Sequence, residues 1–97
     1  MILHTLNQHS ELLVRNCLNT IASGDSLLLI ENAVYLGIEE SFSTSPMAMR
    51  TDINLYALIP DCEARGISPL LFPGFDLIDY PGFVKLCTEH KQVISWY

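Results

Sequence analysis

The apolar positions along the chain alternate between short continuous runs and stretches of helical spacing. Ile2 to Leu6 is an apolar run that predicts a strand. Ser10 is suited to cap a helix, with Glu11 in a first turn where a negative charge complements the helix dipole. That helix extends to about Ala22 and stops at Gly24. Leu27 to Ile30, following Ser26, is uninterrupted by polar residues, as in a strand buried on both faces. Glu31 to Leu36 reads as a short helix ending at Gly37, and Ser41 to Met49, with Pro46 inside it, as a loop or irregular insertion. Asn54 to Ile59 predicts a third strand and Pro60 to Arg65 a short helix closed by Gly66. Phe75 to Ile78 is a fourth strand, Tyr80 to His90 a helix with Pro81 near its start, and Val93 to Trp96 a fifth strand. Strands and helices in this alternation imply right-handed β-α-β crossovers. The expected fold is therefore α/β: one three-layer α/β/α domain over residues 1–97, with a mostly parallel sheet of about five strands and flavodoxin-like layering.

In such a sheet ligands bind beyond the carboxyl ends of the strands, so the loops there carry the functional signal. The first is Leu6-Asn7-Gln8-His9. It has no glycine, which removes both G-x-G-x-x-G and a P-loop, and it lacks the Ser, Thr and Gly of a mononucleotide loop. No acidic pair follows the first strand, as a phospho-receiver would need, and no G-x-S-x-G occurs for a hydrolase elbow. His4 and His9 lie near that end of the sheet. Each could donate a proton or contact an anion. No carboxylate or second ligand stands at a diagnostic spacing, which favours rings bonded to backbone. His90, near a helix C-terminus, suits the dipole there.

Composition sharpens the picture. The chain holds 5 Lys+Arg against 11 Asp+Glu, a net charge of −6, and only 16% charged residues against 49% apolar ones. Five scattered bases cannot form the cationic stripe that direct nucleic-acid binding requires. A 97-residue chain has much surface for its volume, so the shortage of charge implies that other subunits cover part of it. Apolar runs such as Leu27 to Ile30 fall far short of the roughly 18 residues of a membrane span. The start of the chain has no basic region followed by an apolar stretch. Three cysteines, Cys17, Cys62 and Cys87, have neither C-x-x-C nor metal-ligand spacing. These points predict a cytoplasmic protein with free thiols, no cofactor and no metal.

The thiols are the reactive chemistry that remains. Leu13, Cys17, Ile21, Val14 and Leu18 fall within one apolar stripe of the first helix at about 100° per residue, so position alone makes Cys17 a packing residue. Cys62, in the first turn of a short helix, is better placed for a low pKa, but Asp61 and Glu63 flank it. Cys87 sits with Phe83, Val84 and Leu86 and reads as packing.

Several segments together resemble the TusB/DsrH family. They are Leu3-His4-Thr5-Leu6, Gly24-Asp25 leading into Leu27-Leu28-Leu29, Tyr56-Ala57-Leu58, and Asp61 with Ala64-Arg65-Gly66. Ile78-Asp79-Tyr80, then Phe83-Val84 and Leu86, and the ending Ser95-Trp96-Tyr97 complete the set, which spans the chain. The resemblance implies a DsrE/DsrF/DsrH-like sulfur-relay domain. It further implies a subunit that assembles with TusC-like and TusD-like chains, two copies of each, and passes persulfide sulfur through a TusE-like acceptor toward 2-thiolation of the tRNA wobble uridine. In that setting the main accepting cysteine belongs to the TusD-like chain, and this subunit is accessory and not itself catalytic. The DsrH branch, which serves sulfur oxidation, carries a cysteine that Cys17 matches, where the TusB branch has an apolar residue. Cys17 is thus the candidate sulfur carrier under an alternative reading. A third reading is a small-molecule-binding domain without thiol chemistry. For the partner surface the sequence offers Phe42, Met47 and Met49, which have no evident local core, and the aromatic pair Trp96 and Tyr97.

Overall fold

The computed structural model describes residues 1–97. Five strands, β1 (Ile2–Leu6), β2 (Ser26–Leu29), β3 (Asn54–Leu58), β4 (Asp76–Ile78) and β5 (Gln92–Trp96), form one sheet in the order β4-β3-β2-β1-β5. Every pairing is parallel, with Leu3 beside Ser26 and Val93, and Leu28 beside Tyr56. Four α-helices accompany it: α1 (Glu11–Thr20), α2 (Glu39–Phe42), α3 (Ile59–Ala64) and α4 (Tyr80–Glu89). The expected α/β architecture and its five strands are present, with strand and helix ends shifted by a residue or two.

Handedness explains the layering. The chain steps from β1 to β2, β3 and β4 in one direction, and right-handed crossovers put all three connections on the same face. The return from β4 to β5 runs the other way, so α4 lies on the opposite face. Side chains follow the pleat. Leu6, Leu27, Leu29 and Ala57 join Val14, Cys17, Ala33, Val34, Phe42, Met47 and Cys62 in the larger core. Leu3 and Leu28 point the other way and meet Leu86 of α4.

Side chains and turn conformations satisfy the helix ends. Ser10 accepts the Leu13 N–H at 3.3 Å and Asp79 accepts the Gly82 N–H at 2.9 Å, one orphan donor satisfied at each helix start. Beyond α3, Gly66 takes φ +67°, and the Ile67 N–H reaches back to the Cys62 carbonyl at 3.1 Å, a Schellman closure with Ile67 buried. The C-terminus of α1 is closed from a distance. The Arg50 guanidinium donates to the Leu18 and Ile21 carbonyls at 3.4 and 3.2 Å while Asp52 holds it at 2.9 Å.

The segment from Ser41 to Met49 departs from expectation. It is largely helical: Phe42 ends α2, and Pro46–Met49 forms a 3-10 turn. Phe42 (1% exposed) and Met47 (1%) are core residues and do not present a partner surface. Phe42 packs on Phe72 and Phe75 with ring centroids 4.6 and 5.1 Å apart. Those two aromatics come from beyond α3, so the local core was invisible in the stretch around Phe42. Met49, by contrast, is 82% exposed.

Candidate functional site

The strand order places its reversal between β1 and β5. The chain leaves β1 toward β2 on one side, while β5 arrives from the far edge on the other. The residues beside that point are Asn7, Gln8 and His9 after β1, and Trp96 and Tyr97 at the end of β5. Tyr97 is 80% exposed, and Trp96 is half-buried against the larger core.

Beneath Trp96 lies a buried polar chain. The Trp96 indole Nε1–H donates to His4 Nδ1 at 3.1 Å, and the two rings lie nearly parallel, 17° apart. An indole nitrogen can only donate, so Nδ1 carries no proton and the proton of the neutral ring is on Nε2. His4 Nε2 therefore donates to Asp25 Oδ2, 3.1 Å away. Asp25 also accepts the Ala22 N–H on Oδ2 and the Ile2 N–H on Oδ1, both at 3.0 Å. Burial alone would raise the Asp25 pKa, but the Ala22 and Ile2 N–H groups and His4 outweigh it and hold the carboxyl below its usual range. Gly24, at φ +88°, makes the turn that aims Asp25 inward. The ring of His4 thus bonds to two side chains, where the sequence had favoured backbone partners. Its carboxylate partner is 21 residues away and sits at the foot of the neighbouring strand, a spacing with no local signature.

On the opposite face His90, read from the sequence as suiting the helix dipole, bonds to its own helix and to the sheet. Its Nδ1 lies 2.7 Å from the Leu86 carbonyl and its Nε2 2.9 Å from Ser26 Oγ.

Beyond β2 and β3 the loops are tied to each other. Glu31 adopts φ +51°, an unusual conformation for a side-chain-bearing residue, and its N–H donates to Asp61 Oδ2 at 2.6 Å. Arg65 donates to the Asn32 side-chain oxygen at 3.1 and 2.9 Å and to the Asp61 carbonyl at 3.1 Å. The Glu31 N–H and the Arg65 guanidinium at these strand ends are therefore bonded within the chain.

The thiols are placed unlike relay groups. Cys17 has no exposed surface, and burial pushes its pKa up to about 12, with the charge of Arg50 pulling weakly the other way. Cys62 is equally buried. Desolvation, then the Asp61 charge, raises it to about 11, against a smaller opposing effect of Arg65. Cys87 is half-buried against the α4 cluster, and all three are free thiols. A sulfur carrier reacts as an accessible thiolate. Cys17, the candidate carrier, meets neither condition in this fold and stands as a packing residue of α1.

A groove of about 570 Å³ runs between α1 and the Ser41–Met47 segment. His9, Arg15, Ser41, Thr44 and Ser45 line it, and the ring of His9 lies over Tyr35. The three hydroxyls donate to the Ile38, Ser41 and Phe42 carbonyls, so only their lone pairs remain to face the groove. No three His, Cys, Asp or Glu side chains gather as a metal site, and no helix is long and apolar enough to cross a membrane.

Sequence reasoning missed two side chains that organise this region, Asp25 and Arg50. Asp25 did carry a signal, a carboxylate directly before a fully apolar strand, which burial would force to find partners. Arg50 carried none.

Comparison with known proteins follows the same lines. The family profile described as "DsrH like protein" matches residues 8–93. Protein TusB of Pectobacterium parmentieri is 33% identical over 98 residues, covering 98% of this chain and all of the relative. Protein TusB of Photorhabdus laumondii is 37% identical over 76 residues, 78% of this chain and 79% of the relative. Protein TusB of Escherichia coli is 32% identical over 101 residues, 98% of this chain and all of the relative. Among solved structures, a protein of unknown function from Methanobacterium thermoautotrophicum superposes with a TM-score of 0.74 at 18% identity, over 97% of this chain and 96% of that one. That likeness concerns the fold.

Proposed function

The chain belongs to the DsrH-like family, to which the TusB proteins resemble it over nearly its full length, and from that premise we propose that it is a structural subunit of a sulfur-relay complex. In this reading it assembles with TusC-like and TusD-like chains, two copies of each. The complex passes persulfide sulfur through a TusE-like acceptor toward 2-thiolation of the tRNA wobble uridine. The subunit itself touches no RNA, binds no cofactor and performs no catalytic step.

The state of its thiols carries the proposal. In a relay step a thiolate attacks the outer sulfur of a donor persulfide, forms the new S–S bond and expels the donor as thiolate. Burial pushes the Cys17 thiol up to about 12, so it stays protonated near neutral pH, and it is also out of reach of a donor. The residues that carry the family likeness are committed to structure. His4, Asp25 and Trp96 form the buried chain, Asp61 and Arg65 tie two loops, and Asp79 caps α4. What remains for partners is the exposed apolar surface, and Met49, Tyr97 and the outer edge of Trp96 are the residues we assign to it.

Co-expression with TusC-like and TusD-like chains, followed by native mass measurement, tests this. The expected result is a stable assembly containing this chain, weakened by Tyr97→Ala. A chain that stays monomeric beside those partners contradicts the proposal. The alternative, a DsrH-like carrier working through Cys17, rests on the residue match at that position and requires α1 or its covering segment to open. It predicts a persulfide on Cys17 after sulfur loading.

A further inference from the structure

We propose that His4 is a proton-operated latch on Trp96: the indole holds the end of β5 in place only while His4 Nδ1 is bare, and protonation of that nitrogen releases it. Trp96 Nε1 and His4 Nδ1 are 3.1 Å apart, and the indole can serve only as donor. Adding a proton to Nδ1 sets two N–H groups against each other at that distance, so the bond is lost and the indole must move. The ring has nowhere else to put the charge, because Nε2 already donates to Asp25.

The charged and titratable groups around His4 come from several elements. Asp25, at the foot of β2, is held as carboxylate by the Ala22 and Ile2 N–H groups and attracts an imidazolium. Arg50, from the β2–β3 connection, acts on Asp25 through its charge and opposes the imidazolium. The Cys17 thiol of α1, which Arg50 also reaches, contributes no charge near neutrality. His90 belongs to the other face, bonded to Ser26. His4 is fully buried, and β5 is an edge strand paired only with β1. Trp96 is the side chain at the carboxyl end of that strand that packs on the core, so its release frees Tyr97 as well. That the latch regulates assembly rests on the proposed docking of Trp96 and Tyr97; the latch itself does not.

The test is a pH titration of the full chain by NMR, following the indole N–H and the histidine rings. The chain has a single tryptophan, so the indole signal is unambiguous. As pH is lowered, the indole N–H resonance is expected to shift in one step with the same midpoint as the His4 ring. In His4→Gln, whose amide can accept from the indole and donate to Asp25 without titrating, that step is expected to vanish. Trp96→Phe supplies an independent arm. It removes the donor that favours the neutral ring, so the His4 midpoint should lie higher than in the natural chain. An indole signal that stays fixed while His4 titrates, or a His4 midpoint that is the same with and without the indole, overturns the latch. Because the isolated chain is used, either result leaves the partner proposal to its own test. A failed co-purification likewise leaves the latch standing.

Discussion

Replacing Asp25 by Ala should be among the most damaging single changes in the chain. The carboxylate accepts three bonds, from the Ile2 N–H, the Ala22 N–H and His4 Nε2–H. The two backbone donors are partly exposed and can recover water, at about 0.5–1 kcal/mol each. His4 is fully buried, so its orphaned N–H costs about 1–3 kcal/mol. The total is about 2–5 kcal/mol against a typical domain stability of about 5–15 kcal/mol. At about 4–8 °C per kcal/mol, the melting temperature should fall by about eight degrees or more. Asp25→Asn keeps the shape and one acceptor oxygen and should lose about half as much. The pH dependence follows from the depressed Asp25 pKa. In the unfolded chain the group binds protons more readily than in the folded one, so its contribution is fully present above the ordinary value of 3.8 and is lost as pH falls through the lower folded value. Urea unfolding of wild type and both variants, from neutral pH down to about pH 3, measures this. The gap between wild type and Asp25→Ala should hold near neutrality and shrink below the carboxylate range. A loss under about 1 kcal/mol at neutral pH, or a gap that persists in acid, would refute the reasoning.

Three further outcomes follow from the same contacts. In the native state an alkylating reagent at mildly alkaline pH should label Cys87 first and leave Cys17 and Cys62 unmodified until denaturant is added, as peptide mapping would show, because both are buried with pKa values of about 12 and 11. Phe42→Ala should destabilise the isolated chain by about 3–5 kcal/mol in urea, since the ring fills the core, whereas an interface residue would leave the lone chain unaffected. Asp61→Ala should cost about 1–2 kcal/mol and loosen the Glu31–Asn32 loop, visible as faster amide exchange at Glu31, because its N–H loses its acceptor.

The strands and their parallel pairing were legible because continuous runs such as Leu27–Leu28–Leu29 are what a doubly covered strand requires, and because Ser10, Gly24 and Gly66 mark caps and turns by local chemistry. Cys17 was also readable: its stripe position foretold its burial. The segment around Phe42 and Met47 was misread for a physical reason. Its core partners, Phe72 and Phe75, are some 30 residues away and gain their position only when α3 and β4 have formed. The His4–Asp25–Trp96 chain is likewise a product of register, since β1 must lie between β2 and β5 for one ring to reach both. The shortage of charge pointed to covered surface, and part of the answer lies inside the chain, where two of the five suspected interface side chains fill its own core.

Under the proposed function this subunit supports a sulfur relay without carrying sulfur, and Cys17 decides between that role and a carrier. The assembly formed with TusC-like and TusD-like chains should be loaded with persulfide, once with the natural chain and once with Cys17→Ala, and transfer to the TusE-like acceptor measured alongside mass mapping of every cysteine. An unmodified Cys17 and equal transfer by the two assemblies are expected. A persulfide on Cys17, together with strong loss of transfer in Cys17→Ala, would contradict it.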